Sequence, residues 1–137
     1  MEDVRSLNHT KWECKDHVVW IPKYRKQSLY LELRKYLGST FNNLATQKEG
    51  RVMEGHLLPD HIHILISIPP KYSVSQIIGY LKGKSAIQIA RTYMERKKNF
   101  TGQHFWARGY FVSTVGADEE TIRDYIRRQE EEAPHLI

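Results

Sequence analysis

The spacing of apolar residues along the chain predicts three helices. The first, between residues 28 and 49, carries apolar residues every three or four positions, the period of a helix with one buried face: Leu29, Leu33, Leu37, Phe41 and Leu44. Ser73 and Gln76 form a capping-box pattern at the start of a second helix, which we expect to run into the low nineties. A third helix is predicted over "EETIRDYIRRQEEE", with Asp118 as its cap.

Four segments rich in β-branched and aromatic residues, each bounded by turn-forming residues, are predicted to be strands. They are residues 11–21, 51–57, 61–68 and 103–115. The resulting order, β-α-β-β-α-β with an added C-terminal helix, indicates an α+β fold of the ferredoxin-like, RRM-like split βαβ type. Right-handed crossovers would put the first and third strands in the middle of a four-stranded antiparallel sheet.

The third strand carries two histidines on one of its faces. In "HIHILISI", His61 and His63 alternate with isoleucines, so the isoleucines should point into the helix-packed core and the histidines to the other face. Imidazoles two residues apart on a strand lie roughly 6–7 Å apart and can share one metal ion. Two ordinary half-exposed histidines would give the same pattern. Glu54 and Asp60 are close enough in sequence to orient such a ligand.

The last helix offers a second group of candidate residues. Tyr125 and Gln129 are four residues apart and therefore share one face of the helix, with arginines at positions 123, 127 and 128 around them. A free phenol has a pKa near 10 and is a poor nucleophile at neutral pH. A metal that polarises a phosphate, together with nearby cations, would make it useful. Alternatively, Tyr125 packs at the edge of the core beside a solvated Gln129, and neither residue has a catalytic role.

Length and charge narrow the class of protein. The length of 137 residues fits a single domain over residues 1–137. The chain has 21 Lys and Arg residues and 16 Asp and Glu residues, and the resulting charge of +5 favours anionic partners such as nucleic acid. Cations are mixed with tyrosines in "KYRK", "YLKGK" and "RTYMERKK", and such surfaces suit phosphates and bases. We expect DNA contacts from Lys82, Lys84, Arg123 and Arg127.

Other classes are disfavoured. The single cysteine allows no intrachain disulfide and fits a reducing, cytosolic setting. No apolar run approaches the roughly 20 residues of a membrane helix, so we expect no membrane partner. The N-terminal segment is too polar for a signal peptide.

Several long segments resemble one family. The sequences "HVVWIPKYRK", "PDHIHILISIPPKYSVSQIIGYLKGKS", "FWARGYFVSTVG" and "IRDYIRRQ" are similar to the single-tyrosine transposases with a His-hydrophobic-His motif, the insertion-sequence two-hundred class. The resemblance implies that His61, His63 and Gln129 hold Mg²⁺ or Mn²⁺ and that Tyr125 is the nucleophile. The tyrosine helix, about residues 118–132, would be mobile on a hinge in "VGADE".

The resemblance also implies the reaction and the partners. The substrate would be single-stranded DNA beside a hairpin, cleaved and rejoined through a 5′-phosphotyrosine intermediate in a prokaryotic cytoplasm. A homodimer is expected, in which the tyrosine helix of one subunit can complete the site of the other.

Three alternatives remain open at this point. A non-catalytic RRM-like module would bind RNA or DNA without Tyr125 or a metal, and "ARGYFV" comes close to its aromatic signature. A replication initiator or relaxase domain shares the histidine pair and the tyrosine. A relative domesticated by a host to process repeated hairpins would keep the whole site. A histidine-triad hydrolase is disfavoured because Leu65 stands where its third histidine is needed.

Overall fold

The structure is a computed structural model that describes residues 5–7, 10–12, 14–23, 29–93, 105–114 and 118–132. The elements follow in chain order: β1 (Arg5–Leu7), β2 (Thr10–Trp12), β3 (Lys15–Trp20), α1 (Leu31–Gln47), β4 (Arg51–Leu57), β5 (Ile62–Ser67), α2 (Val74–Tyr93), β6 (Phe111–Ser113) and α3 (Glu119–Glu132).

Four of the strands form one antiparallel sheet. Their order is β4-β5-β3-β6, with β5 paired to both β3 and β4, and β3 paired to β6. The histidine strand β5 and the first long strand β3 are therefore central, and the α+β split βαβ prediction is confirmed. The strands β1 and β2 pair with each other in a separate two-stranded sheet.

Two of the predicted strands differ from the observed ones. The segment 11–21 is not continuous, because residues 10–12 pair with β1 and β3 begins only at Lys15. The fourth strand is much shorter than 103–115. Trp106 makes an isolated bridge to Pro22, and Gly109 then takes a left-handed conformation (φ 79°), which interrupts the pairing before β6. Residues 103, 104 and 115 lie outside the described ranges.

The main core lies between one face of the sheet and the helices α1 and α2. Ile62, Ile64 and Ile66 of β5 are fully buried there, as the alternation predicted. The capping box of α2 is also confirmed: the Ser73 amide donates to Gln76 Oε1 (2.8 Å) and the Gln76 amide donates to Ser73 Oγ (3.1 Å).

The helix α3 covers the opposite face of the sheet. Its first turn is capped by Asp118, whose Oδ1 accepts a hydrogen bond from the Thr121 amide (2.8 Å), as predicted. Ile122 and Ile126 are buried in a small second cluster that also contains Val19, Ile21 and Ala107. None of the helices in the described part of the chain combines the length and the apolarity that crossing a bilayer requires.

Candidate active site

His61 and His63 lie on the sheet face that α3 covers. His63 is directly opposite Val19 of β3 and His56 of β4, and directly opposed residues of antiparallel strands share a face. Val19 belongs to the cluster that packs against Ile122 of α3. The histidine pair and the tyrosine helix are therefore together on one side of the sheet.

The imidazole of His61 is oriented by a neighbouring carboxylate. His61 is only 2% exposed, and its Nδ1 lies 2.7 Å from Asp60 Oδ1. Because an ionised carboxylate can only accept, Nδ1 carries a proton, and in the neutral imidazole Nε2 then keeps the lone pair that a metal ligand needs. Burial alone raises the pKa of Asp60, but hydrogen bonds from His61 and Arg123 outweigh it and hold that pKa below its usual value.

His63 sits among further imidazoles that the sequence analysis did not single out. Its Nε2 lies 3.3 Å from His17 Nδ1, and its ring centroid lies 5.7 Å from that of His56. Burial first, and then the neighbouring imidazoles, lower the pKa of His63, which favours the neutral form that can bind a metal. The signal for His17 was its position two residues before Val19, which gives both the same face of β3.

The hydroxyl of Tyr125 is buried and has no hydrogen-bond partner within the described part of the chain. Its ring packs against Phe111 of β6 at a centroid distance of 6.0 Å. Burial raises the pKa of Tyr125 to about 12, so the phenol is protonated at neutral pH. A buried hydroxyl without a partner is energetically unfavourable, and a ligand that supplied one would relieve it. Gln129 follows one turn later and is half-buried.

The donor set suits a divalent ion that keeps open positions. Among the residues described, no group of three or more His, Cys, Asp or Glu side chains is arranged to hold a metal. The oriented His61, the neutral His63 and the amide oxygen of Gln129 would thus supply only part of a coordination shell. Mg²⁺ and Mn²⁺ accept such sites because water and substrate phosphate complete their coordination.

Two of the predicted DNA-binding residues lie on α3 and form ion pairs. Arg123 donates to Asp60 Oδ2 (2.8 Å) and to Glu119 (2.9 Å), and Arg127 pairs with Asp124. These contacts do not exclude DNA, and both assignments stay predictions. Lys84 is exposed, with its Nζ 5.9 Å from the centre of the Tyr80 ring, and also stays a predicted DNA contact.

Residues 24–26 of "KYRK", residues 94–98 of "RTYMERKK" and residues 115–117 of the hinge segment lie outside the described ranges.

Lys82 has an internal contact that the sequence pattern did not predict. Its Nζ donates to the carbonyl oxygens of Ala107 (2.8 Å) and Gly109 (2.7 Å), in the loop that leads to β6. Burial lowers its pKa to about 8 from a normal 10.5. Through its two hydrogen bonds the ammonium group supports this loop. A contact of Lys82 with DNA stays a prediction.

The lowered pKa of Lys82 predicts a dependence of stability on pH. Between about 8 and 10.5 the unfolded chain binds more protons at this residue than the folded chain, so this contribution to the free energy of unfolding rises with pH. We expect the wild type to gain stability relative to Lys82→Met across that interval, measured by urea unfolding at several pH values. The exposed Lys84→Met is the control on the same helix. Parallel pH curves for wild type and Lys82→Met would contradict the prediction.

A His-hydrophobic-His pair at the start of a central strand of a split βαβ sheet, under a helix that carries a tyrosine, is the arrangement expected from the resemblance to small single-tyrosine transposases. The family model described as "Transposase IS200 like" matches residues 10–129. The chain belongs to this family, and it is a transposase and therefore an enzyme.

Curated relatives agree with this assignment. The transposase for insertion sequence element IS200 of Salmonella typhimurium is 46% identical over 132 residues, which cover 96% of this chain and 87% of that protein. The ISDra2 transposase TnpA of Deinococcus radiodurans is 29% identical over 119 residues, which cover 86% of this chain and 85% of that protein.

Solved structures have the same fold. A crystal structure described as that of a transposase from Deinococcus radiodurans superimposes with a TM-score of 0.75 at 26% identity, covering 91% of this chain and 97% of that one. The structure of a REP-associated tyrosine transposase bound to a REP hairpin shares the fold, with a TM-score of 0.53 at 11% identity. The match covers 89% of this chain and 68% of that one.

Proposed function

We propose that this transposase cleaves and rejoins single-stranded DNA at the ends of a small insertion sequence. Tyr125 is the nucleophile, and His61, His63 and Gln129 hold Mg²⁺ or Mn²⁺. The observation that supports this most directly is that α3 packs Tyr125 on the same sheet face as the two histidines. A binding module would have no need for that arrangement.

The proposed reaction exchanges one phosphoester for another. The Tyr125 oxygen attacks the scissile phosphorus and loses its proton, the bond from phosphorus to the 3′ oxygen breaks, and that oxygen takes up a proton. The products are a 5′-phosphotyrosine and a free 3′-hydroxyl. In the second step a 3′-hydroxyl attacks such a phosphotyrosine and the tyrosine leaves, so no nucleotide cofactor is consumed.

The residues of the site divide this work. The bound cation would polarise the scissile phosphate and stabilise its developing charge. Asp60 keeps the His61 proton on Nδ1, and the lowered pKa of His63 leaves that imidazole neutral at physiological pH. The buried Tyr125 phenol needs such assistance, because its raised pKa leaves almost no phenolate at neutral pH.

We further propose a DNA hairpin as the recognised structure and a homodimer as the working assembly. A related fold has been solved with a REP hairpin bound, and the charge of +5 favours a nucleic-acid partner. Residues 1–137 would form one catalytic domain whose tyrosine helix serves its own site or that of the partner subunit. Because the substrate is genomic DNA, the enzyme would act in the prokaryotic cytoplasm.

A denaturing gel tests the proposed function. The protein is incubated with end-labelled single-stranded DNA that carries a hairpin from sequence flanking the gene, with Mn²⁺ or Mg²⁺ or with EDTA. We expect a labelled band of protein size that appears only when the metal is present. Tight binding of this DNA without any covalent band would favour a binding module or an inactive copy.

A further inference from the structure

The turn before β5 is connected to α3 through one carboxylate. Asp60 Oδ1 accepts from His61 Nδ1 at 2.7 Å, and Asp60 Oδ2 accepts from Arg123 of α3 at 2.8 Å. We call these three residues the Asp60 bridge. The two partners of Asp60 are one and 63 residues away in sequence, so the bridge joins the histidine pair to the tyrosine helix.

The His61 end of the Asp60 bridge is shielded from solvent, whereas its Arg123 end is partly exposed. The side chain of Asp60 is 18% exposed and that of His61 is 3% exposed, whereas Arg123 is 44% exposed. Both oxygens of the carboxylate are used, one for each partner, so each partner helps to fix the orientation of the carboxylate. Arg123 also donates a hydrogen bond to Glu119, one turn earlier on α3.

We propose that the Asp60 bridge couples docking of α3 to the orientation of the His61 imidazole, with Asp60 and Arg123 as positioning residues. When α3 is docked, Arg123 holds the carboxylate in the orientation that binds His61 Nδ1–H and leaves Nε2 for a cation. When α3 leaves the sheet, Asp60 loses this partner and His61 is held less firmly. Where a cation is concerned, this coupling rests on the proposed function.

Such coupling is reciprocal by thermodynamic linkage. If docking of α3 improves the binding of a cation at His61, the cation must stabilise docking of α3 by the same factor. The tyrosine would then be brought to the sheet preferentially when the histidines are ready to hold the metal. Gln129 on α3 provides a second route for the same coupling, and the experiment must separate the two.

The first measurements use the metal-free protein. Hydrogen exchange of the α3 amides reports docking, and the solvent exchange of the His61 Nδ1–H signal in ¹⁵N-edited NMR reports the orientation of the imidazole. We expect Arg123→Gln to speed both the exchange of the α3 amides and the exchange of the His61 Nδ1–H. The amide exchange should become about fivefold faster, which corresponds to the upper end of the energies of partly exposed ion pairs. In an Asp60→Asn background, Arg123→Gln should add almost nothing.

Glu119→Gln is the matched control, because it removes the negative charge of the other partner of Arg123 without touching Asp60. We expect it to leave the His61 signal unchanged, and Arg123→Lys to restore part of the wild-type behaviour. The coupling is overturned if Arg123→Gln alters amide exchange but not the His61 signal, or if its effect persists undiminished in the Asp60→Asn background.

The last measurement adds Mn²⁺ and follows its binding by electron paramagnetic resonance. In a Gln129→Ala background, Arg123→Gln should weaken Mn²⁺ binding about fivefold, at the lower end of typical coupling between sites. Asp60→Ala should weaken it by about 10- to 100-fold, as for other outer partners of histidine ligands. If Arg123→Gln acts only when Gln129 is present, the coupling runs through Gln129 and the bridge has no role. If Mn²⁺ does not bind the wild type, the cation site of the proposed function fails, and the metal-free measurements still decide the bridge.

Discussion

Tyr125→Phe is expected to abolish formation of the covalent protein–DNA adduct while leaving the folded protein at least as stable as the wild type. Removal of a covalent nucleophile lowers turnover in other enzymes by on the order of 10⁶-fold, so no adduct band should be detectable. The stability expectation has a separate cause. The hydroxyl of Tyr125 is buried without a partner in the described residues, and replacing such a group by hydrogen removes an unsatisfied donor rather than a bond.

Two measurements check this prediction. Adduct is scored on the denaturing gel, and thermal unfolding is followed by circular dichroism without DNA. Tyr36→Phe is the matched control, because Tyr36 packs at the other face of the sheet and donates to Gln88. It should keep full adduct formation and lose a little stability. An adduct band from Tyr125→Phe would identify another nucleophile.

His63→Gln is expected to weaken Mn²⁺ binding by more than about 100-fold, beyond the 10- to 100-fold loss typical of outer partners of a ligand. The imidazole lies on a central strand, is half-buried and has a lowered pKa, so glutamine at this position replaces a good neutral donor by a weaker amide oxygen. Adduct formation should fall with the loss of the cation. Titration with Mn²⁺, followed by paramagnetic resonance, measures the affinity.

His56→Gln provides the comparison for this second prediction. His56 is directly opposite His63 on the same face of the sheet, but its side chain is 57% exposed and lies on the outer strand β4. We expect its replacement to change Mn²⁺ affinity less than about tenfold, below the range for a partner of a ligand. Equal losses for the two variants would mean that the cation is held by a broader histidine cluster.

Local sequence patterns predicted most of what positions the site. The alternation of Ile62, His63 and Ile64 assigned both faces of β5, because side chains of a strand alternate strictly. Both helix caps, at Ser73 and Asp118, were predicted correctly because the residues that form a cap are neighbours in sequence.

Features that depend on distant parts of the chain were not predicted. The contact of Arg123 with Asp60 spans 63 positions, and no local pattern favoured it over a phosphate contact for the same arginine. Lys82 was predicted to be a surface cation that contacts DNA. Its bonds to the carbonyls of Ala107 and Gly109 were not predicted, because only folding brings this loop to its ammonium group. The fourth strand was predicted too long because Gly109 interrupts a segment whose side chains otherwise suit a sheet.

The separation of the apolar core into two clusters also bears on what a shortened chain would retain. Among the described residues, the buried members of the main cluster all lie at or before Trp106, whereas α3 supplies Ile122 and Ile126 to the small cluster. A chain that ends before residue 119 would therefore keep the main cluster whole and lose only the part of the small cluster that α3 supplies. Such a chain would carry the histidine face without the proposed nucleophile Tyr125. We expect it to fold and to form no covalent adduct with DNA.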